Sequence, residues 1–393
     1  MPNPFANGVC IHALAKESIK QGHVVHVVCT GSWHTPQDEV IDGIVVHKLK
    51  VPFYNSLFYY YENHKAMLLG SVAYRLGRMI ALGKKLLHIG EYPLRDQCLV
   101  RRYVKECRSI INGNENVTIV ASYTPVEGIK AGAKLKKIYP FINAVYYSLD
   151  TLSNESGFGF LPEAIRTKMG LKQELKFFGT YDKVLLMNCH KHHYKTAEFG
   201  GYYSKMLWAD FPLFQPSGET SHKKTWTIVY TGTLYRGIRN PRPALEFLSG
   251  LLDVYTVHFY GHSDCDDILE EYALKFSGHV VNHGLVSHQE ALLAASKADI
   301  LLSIGNAHTE MAPSKIYEQM STGKPIIHLF SEDSDPCLPL LSEYRNALCV
   351  DAKNVSNASL ASFMDEMKYL SKTELEGKFK EASPRYTVEL ITR

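Results

Sequence analysis

Residues 308–330 read HTEMAPSKIYEQMSTGKPIIHLF, and directly before them, at residues 298–306, stands the apolar run ADILLSIGN. A short apolar run that stops at Gly305 and Asn306 predicts a buried parallel strand ending in a loop. Pro313 suits a first helical position, where its missing N–H would be unpaired in any case, and Gly323 with Pro325 marks a stop. The spacing therefore predicts a helix over 313–322, followed by the strand PIIHLF. At 100° per residue, Lys315, Glu318 and Thr322 share one stripe of this helix, whereas Ile316, Met320 and Gly323 share another. One side can pack while the other meets a ligand. A helix start beside a lysine, at the carboxyl end of a parallel strand, is a place where phosphate binds. Two carboxylates, Glu310 and Glu318, flank it. A surface Lys315–Glu318 pair at i,i+3 spacing is the alternative reading.

The pattern of Glu310, seven intervening residues and Glu318, with the second Glu inside SKIYEQMSTGKPII, resembles the donor site of family 4 glycosyltransferases of the GT-B fold. The Pro-Ser-Lys-Ile-Tyr-Glu wording at residues 313–318 carries more of the resemblance than the Glu spacing does. In such a protein Glu310 faces the hydroxyls of the donor sugar, Glu318 holds the ribose, and Lys315, beside Ser314, takes the diphosphate.

The chain has 393 residues, enough for two domains with a core each. No apolar run reaches a membrane span, and no basic segment leads into an apolar one at the N-terminus. The eight cysteines are scattered without metal-ligand or redox spacing, which predicts reduced thiols in a cytosol. Charge is divided unequally. Residues 1–210 hold 26 Lys and Arg against 17 Asp and Glu, a net of +9, which leaves the remainder at −6. A basic first half predicts an anionic partner, such as a lipid phosphate or a bilayer surface, and no nucleic-acid motif accompanies it.

The first half opens with a Pro/Asn/Gly loop and a helix with Ile11, Leu14, Ala15 and Ile19 at helical spacing, and the strand of residues 24–29 follows. By resemblance, Asn7 and Gly8 sit where a glycine loop lets backbone approach the donor phosphates. A doubly wound sheet would place its first, central strand ahead of this loop, so the expectation is either a truncated or misassigned start or a sheet lacking that strand. After a hairpin ending in IVVHKL come an aromatic cluster and a long basic amphipathic helix with Arg75, Arg78, Lys84 and Lys85. Such a helix either covers a sheet or lies at an interface. The strand signals VTIVAS, NAVYYSLD and DKVLLMN alternate with helices over 125–138 and 161–177, the pattern of a parallel sheet. Tyr123, Thr124, Asp150 and Thr151 stand at strand ends. Asp150 is the first-half candidate for a sugar contact, with a turn or helix cap as the alternative. His190, His192 and His193 read as an exposed basic turn rather than a metal site.

Pro212, Pro216, Ser217 and Gly218 mark a linker, after which residues 225–252 repeat the strand, Gly loop, helix theme. Gly232 permits close backbone approach, and Arg236, then Arg239, are the expected diphosphate partners of Lys315. By resemblance of the segment around it, the turn at residues 284–287 is expected near the nucleotide base. A polar tail closes the chain, and it is expected to stop short of returning a helix to the first domain. The fold class is therefore α/β, with two Rossmann-like domains facing across a cleft, residues 1–210 on the acceptor side and 211–393 on the donor side. The activity that the resemblance implies is retaining transfer of a sugar from a nucleotide-diphosphate sugar to a glycan or lipid-linked acceptor, with no cofactor and no metal. Glu310 and Asp150 are the catalytic candidates. The expected location is the cytoplasm, with peripheral contact at the membrane face. A GT-B sugar-nucleotide epimerase and a noncatalytic nucleotide-sugar-binding protein are the rivals.

Overall fold

The computed structural model describes all residues except 1–5, 32–37, 66, 123–124, 155–159, 216–225, 308–313 and 357. The chain divides into two compact units, Met1–Asp210 with Arg385–Arg393, and Phe211–Pro384.

The first unit runs α1 (Ala6–Lys20), β1 (His26–Thr30), β2 (Glu39–Ile41), β3 (Ile44–Leu49), α2 (Phe53–Asn63), α3 (Leu68–Leu87), α4 (Gln97–Ile111) and β4 (Thr118–Ser122). It continues with α5 (Val126–Ile138), β5 (Asn143–Ser148), α6 (Glu163–Thr180), β6 (Lys183–Met187), α7 (Lys191–Tyr194) and β7 (Met206–Ala209). Its strands form two sheets. One has the order β1-β3-β2, with β1 parallel and β2 antiparallel to β3, and the other is the all-parallel β4-β5-β6-β7. Among the described residues β1 pairs only with β3 and β4 only with β5, so both keep a free edge. Their burial shows it: β5 is buried along nearly its whole length, whereas β1 and β4 are largely half-buried or exposed. One hydrophobic cluster nevertheless joins Leu49 of β3, Leu99, Val100 and Tyr103 of α4, and Ala121 of β4.

The second unit runs β8 (Thr227–Thr231), α8 (Arg242–Leu248), β9 (Thr256–Tyr260), α9 (Asp266–Lys275), β10 (Val280–Asn282), α10 (His288–Lys297) and β11 (Ile300–Ile304). Then come α11 (Lys315–Ser321), β12 (Ile326–Phe330), α12 (Cys337–Tyr344), β13 (Ala347–Asp351), α13 (Leu360–Glu366) and α14 (Lys372–Glu376). Its six strands are all parallel in the order β10-β9-β8-β11-β12-β13. The order reverses between β8 and β11, and in an open α/β sheet the crevice at the carboxyl ends of such a pair receives ligand. β11 and β12 read as continuous apolar runs because helices cover both faces, and every residue of β11 is buried.

The last helix, α15 (Pro384–Thr392), corrects an expectation. Residues 385–393 belong to the first unit, not the second, and the helix does return. Val388 and Ile391 are buried, and the Ile391 carbonyl accepts from Asn143 Nδ2 and Lys183 Nζ, each at 3.3 Å. A lysine at a helix C-terminus meets its unpaired carbonyls and the negative end of its dipole.

One glycine tests the packing of the first unit. A Cβ on Gly170 of α6 would come within 2.6 Å of the Leu152 carbonyl oxygen and of Ser153 Cα. Alanine is the better helix former by about 1 kcal/mol, yet backbone cannot yield cheaply. Gly170→Ala is expected to destabilise the protein by about 1–3 kcal/mol, read as a lowered midpoint in urea. An unchanged or raised midpoint would show that the α6 contact is loose.

Candidate functional site

In the second unit, β8 and β11 both end in glycine loops. Gly232 N donates to the Tyr260 carbonyl at 2.9 Å, and Gly305 N to that of Leu329 at 2.8 Å. A side chain at Gly305 would run into the Asp335 carboxylate. That carboxylate is held by the buried His328 ring, 3.3 Å from Nε2, while His328 Nδ1 lies 2.9 Å from Ser303 Oγ. The floor beneath the β11 loop is thus a fully connected polar network, which fixes the loop.

Above it, Ala307 N donates to the Ile238 carbonyl at 2.9 Å, and Arg239 Nε donates to Asn306 Oδ1 at 2.7 Å. These bonds draw the loop after β8 onto the loop after β11. Arg239 also stands close enough to Lys315 to depress its pKa. Arg236 is engaged elsewhere. Its backbone N–H donates to Asp264 Oδ1 at 2.7 Å, and its exposed guanidinium pairs with Asp267 at 2.5 Å. Of the two arginines expected beside Lys315, the structure therefore brings the second choice to it and turns the first toward α9.

The short helix α11 opens on Lys315 and carries Glu318 one turn on, both on the side away from the core. Ser314 has helical backbone angles, Ile316, Tyr317 and Met320 are buried, and Lys315 and Glu318 are half-buried on the other side. The helix spans Lys315–Ser321, shorter than the expected 313–322. Pro313 and Glu310 lie outside the described residues. Gly323 takes φ +70°, and its carbonyl accepts from Leu370 N at 2.8 Å, so it does terminate the helix.

The electrostatics of this cluster are tense. Burial lowers the Lys315 pKa, with Glu318 working against that and Arg239 adding to it. Burial raises the Glu318 pKa, partly offset by Lys315. His288, the first residue of α10, has its Nε2 3.4 Å from Glu318 Oε1, and burial followed by Lys315 lowers its pKa. Each group is held in an environment that disfavours its charged form, and such perturbed clusters mark functional sites. An arriving anion would relieve Lys315 and Arg239 together.

His288 was not singled out in the sequence. A signal was present: Ser287 and Glu290 form a capping box, with Ser287 Oγ accepting from Glu290 N at 3.2 Å. That S-x-x-E spacing places His288 at the start of a helix, directly after the 284–287 turn. In this turn Gly284 adopts φ +65°, and its carbonyl accepts from Gly261 N at 2.7 Å.

The first unit holds the other candidates. Asn7 and Gly8 lie near the start of α1, both half-buried. Asp150 follows β5; burial raises its pKa, and a hydrogen bond from the Asn7 side chain offsets part of that. The fold has therefore joined two residues that stand 143 positions apart in the chain. Tyr123 and Thr124 lie outside the described residues. The histidines after β6 are not an exposed basic turn. His190 is buried and its pKa falls to about 4 through burial, while His193 Nε2 lies 3.0 Å from a carboxylate oxygen of the fully buried Glu174. Only His192 is exposed. Glu174 also accepts from Leu152 N at 2.6 Å and from Tyr194 Oη at 3.3 Å, so it pins the segment just after Asp150.

No known sequence family and no curated protein matches the chain. Solved structures do. HepE of Anabaena, solved in complex with UDP and glucose, aligns over 100% of this chain and 95% of its own, with a TM-score of 0.56 at 12% identity. WaaG, a glycosyltransferase involved in lipopolysaccharide biosynthesis, aligns over 98% and 95%, with a TM-score of 0.50 at 14% identity. The chain has the GT-B fold. In this GT-B chain the Lys315, Glu318, Arg239 and His288 cluster occupies the switch point of the second Rossmann-like domain, and Asn7 with Asp150 the carboxyl end of a strand in the first.

Proposed function

We propose that this GT-B protein is a glycosyltransferase that moves a sugar, with retention, from a nucleotide-diphosphate sugar to a hydroxyl of a glycan or lipid-linked acceptor. The observation that supports it most is the half-buried Lys315, with Arg239 beside it and Glu318 one turn on, at the carboxyl end of β11. As the glycosidic bond breaks, negative charge develops on the leaving diphosphate. Lys315 and Arg239 are placed to stabilise it in a site of low dielectric, where such charges count for more than in water. Glu318 accepts hydrogen bonds from the ribose and moves no proton, with His288 orienting its carboxylate. Glu310 faces the sugar, and Asp150, steadied by Asn7, receives the acceptor side. The reaction is assigned no metal and no cofactor. The protein works in the cytoplasm, at the membrane face where lipid-linked acceptors stand.

Thermal shift with a panel of nucleotide sugars tests the reading, because a ligand of the folded state stabilises it by mass action. One or more UDP-sugars should raise the melting temperature, and Glu310→Ala should keep that shift while losing turnover. A flat panel would refute the assignment. Turnover by Glu310→Ala at the wild-type rate would refute the role of Glu310.

The same measurement has a predicted pH dependence. Binding of ribose hydroxyls requires the Glu318 carboxylate, whose pKa is raised by burial. On acidification, UDP affinity should therefore start to fall above the pH at which an ordinary glutamate protonates. On the alkaline side it should fall as pH rises toward the lowered pKa of Lys315. Glu318→Gln should flatten the acidic limb and leave the alkaline one. An acidic limb that persists in that variant would assign it to another group.

A further inference from the structure

The α2–α3 pair shows two unlike faces. Toward each other the helices close tightly: Gly77 of α3 lies under Phe58 and Leu57, Gly70 under the His64 carbonyl, and the Tyr74 ring centroid lies 4.7 Å from that of Tyr61, tilted, and 5.9 Å from that of Phe58, edge-on. A side chain at either glycine would force the helices apart, so this face of α3 is satisfied within the hairpin. The other face is not covered. Leu68, Leu69, Val72, Leu76, Met79 and Leu87 are between 46% and 82% exposed. On a 100° wheel they fall within an arc of about 100°, a continuous apolar stripe along a helix about 30 Å long. Contiguous exposed apolar area on this scale marks an interaction surface rather than ordinary solvent-facing side chains.

Charge selects the occupant. α3 carries Arg75, Arg78, Lys84 and Lys85 and not one Asp or Glu. Lys84 is used internally, in a pair with Asp96. Arg75 and Arg78 have no carboxylate partner among the described residues, and on the wheel they flank one edge of the stripe. A second copy packed along this stripe would bring its own arginines to ours with no carboxylate on either α3, which is unfavourable. A surface that is apolar within and anionic at its rim satisfies both features at once. The helix cannot cross such a layer, since no helix among the described residues is long and apolar enough to span a membrane. It has instead the make-up of a helix that lies in the interface plane, with Phe53 and Tyr59 of α2 exposed beside it.

We propose that the outward stripe of α3 seats the first unit in the surface of an anionic lipid bilayer, with Arg75 and Arg78 on lipid phosphates. This rests on the membrane-face part of the proposed function and names the residues that carry it.

Co-sedimentation of the full chain with vesicles tests this. The wild type should bind vesicles of equal parts phosphatidylglycerol and phosphatidylcholine, bind phosphatidylcholine alone weakly, and lose the difference in 0.5 M salt. Leu76→Ser/Met79→Ser should lower binding to both kinds of vesicle. Arg75→Gln/Arg78→Gln should remove the preference for phosphatidylglycerol, a loss of about tenfold or more for two surface charges. These side chains are exposed, so the melting temperature of each variant should stay that of the wild type. Absence of wild-type binding, or binding that neither pair of substitutions changes, overturns the proposal. So does a dimer in sedimentation equilibrium that Leu76→Ser/Met79→Ser dissociates while vesicles are ignored, because a second copy would then cover the stripe. The UDP thermal shift, measured on the same samples, separates the two readings. A retained shift without vesicle binding defeats only the bilayer proposal, and vesicle binding without a shift defeats only the donor assignment.

Discussion

Replacing Lys315 by Met is expected to lower the rate of sugar transfer about 10²- to 10³-fold, the usual loss when one preorganised stabiliser of developing charge is removed. UDP affinity should fall by about tenfold or more, since a charge-assisted hydrogen bond is lost from the ground state as well. Stability should move the other way. Burial already pushes the Lys315 pKa down, which means that the free protein holds this ammonium against a desolvation penalty. Met fills a similar volume without that penalty, so the melting temperature should hold or rise. Loss of activity with gain of stability is the mark of a residue kept for function. Lys315→Arg should recover part of the UDP affinity. If Lys315→Met transferred sugar within about twofold of the wild type, the diphosphate would have to lie elsewhere; a fall in melting temperature would make Lys315 structural instead.

The second large effect is expected from Glu174→Ala in the first unit. The Glu174 carboxylate is fully buried and accepts from Leu152 N, Ser153 N and Tyr194 Oη while facing His193 Nε2. Removal takes the acceptor from Leu152 N and Ser153 N in the interior, while Tyr194 Oη keeps Ser148 Oγ at 3.1 Å and His193 Nε2 keeps Ser153 Oγ at 3.2 Å, for a loss of about 3 kcal/mol. Because the segment after Asp150 hangs from this carboxylate, transfer should fail even where the protein remains folded. The second unit contains none of these partners, so the UDP thermal shift should persist. Glu174→Gln keeps one acceptor oxygen and should fall between Ala and wild type. An unchanged denaturation midpoint for Glu174→Ala would show that water replaces the carboxylate. Loss of the UDP shift would show that the two units do not respond separately.

Much of the fold was legible from residue order. Strand and helix signals alternate because a parallel sheet covered on both faces needs continuous apolar runs joined by crossover helices, and residues 227–351 display that plainly. The expected lack of a first strand concerns residues 1–5, which lie outside the described residues. The choice between Arg236 and Arg239 was not. Both follow Gly232 within a few residues, and only the folding of their loop against Asn306 on one side and Asp264 on the other sends one to Lys315 and the other away. The three histidines misled for a related reason. Residue types next to lysines look solvated in sequence, but Glu174, far back in α6, gives His193 a buried partner.

By itself the sequence determined most element types and the Lys315 and Glu318 stripe, because periodicity and turn chemistry act over a few residues, while the GT-B reading rested on the resemblance carried by residues 313–318. Tertiary structure alone decided that α15 joins the first unit, that Asn7 meets Asp150, that His288 meets Glu318, and that one face of α3 is left uncovered. Each of those is a contact, or the lack of one, between residues distant in the chain. Local propensity carries no information about such pairs; burial and charge complementarity select them only once the backbone has brought them within reach.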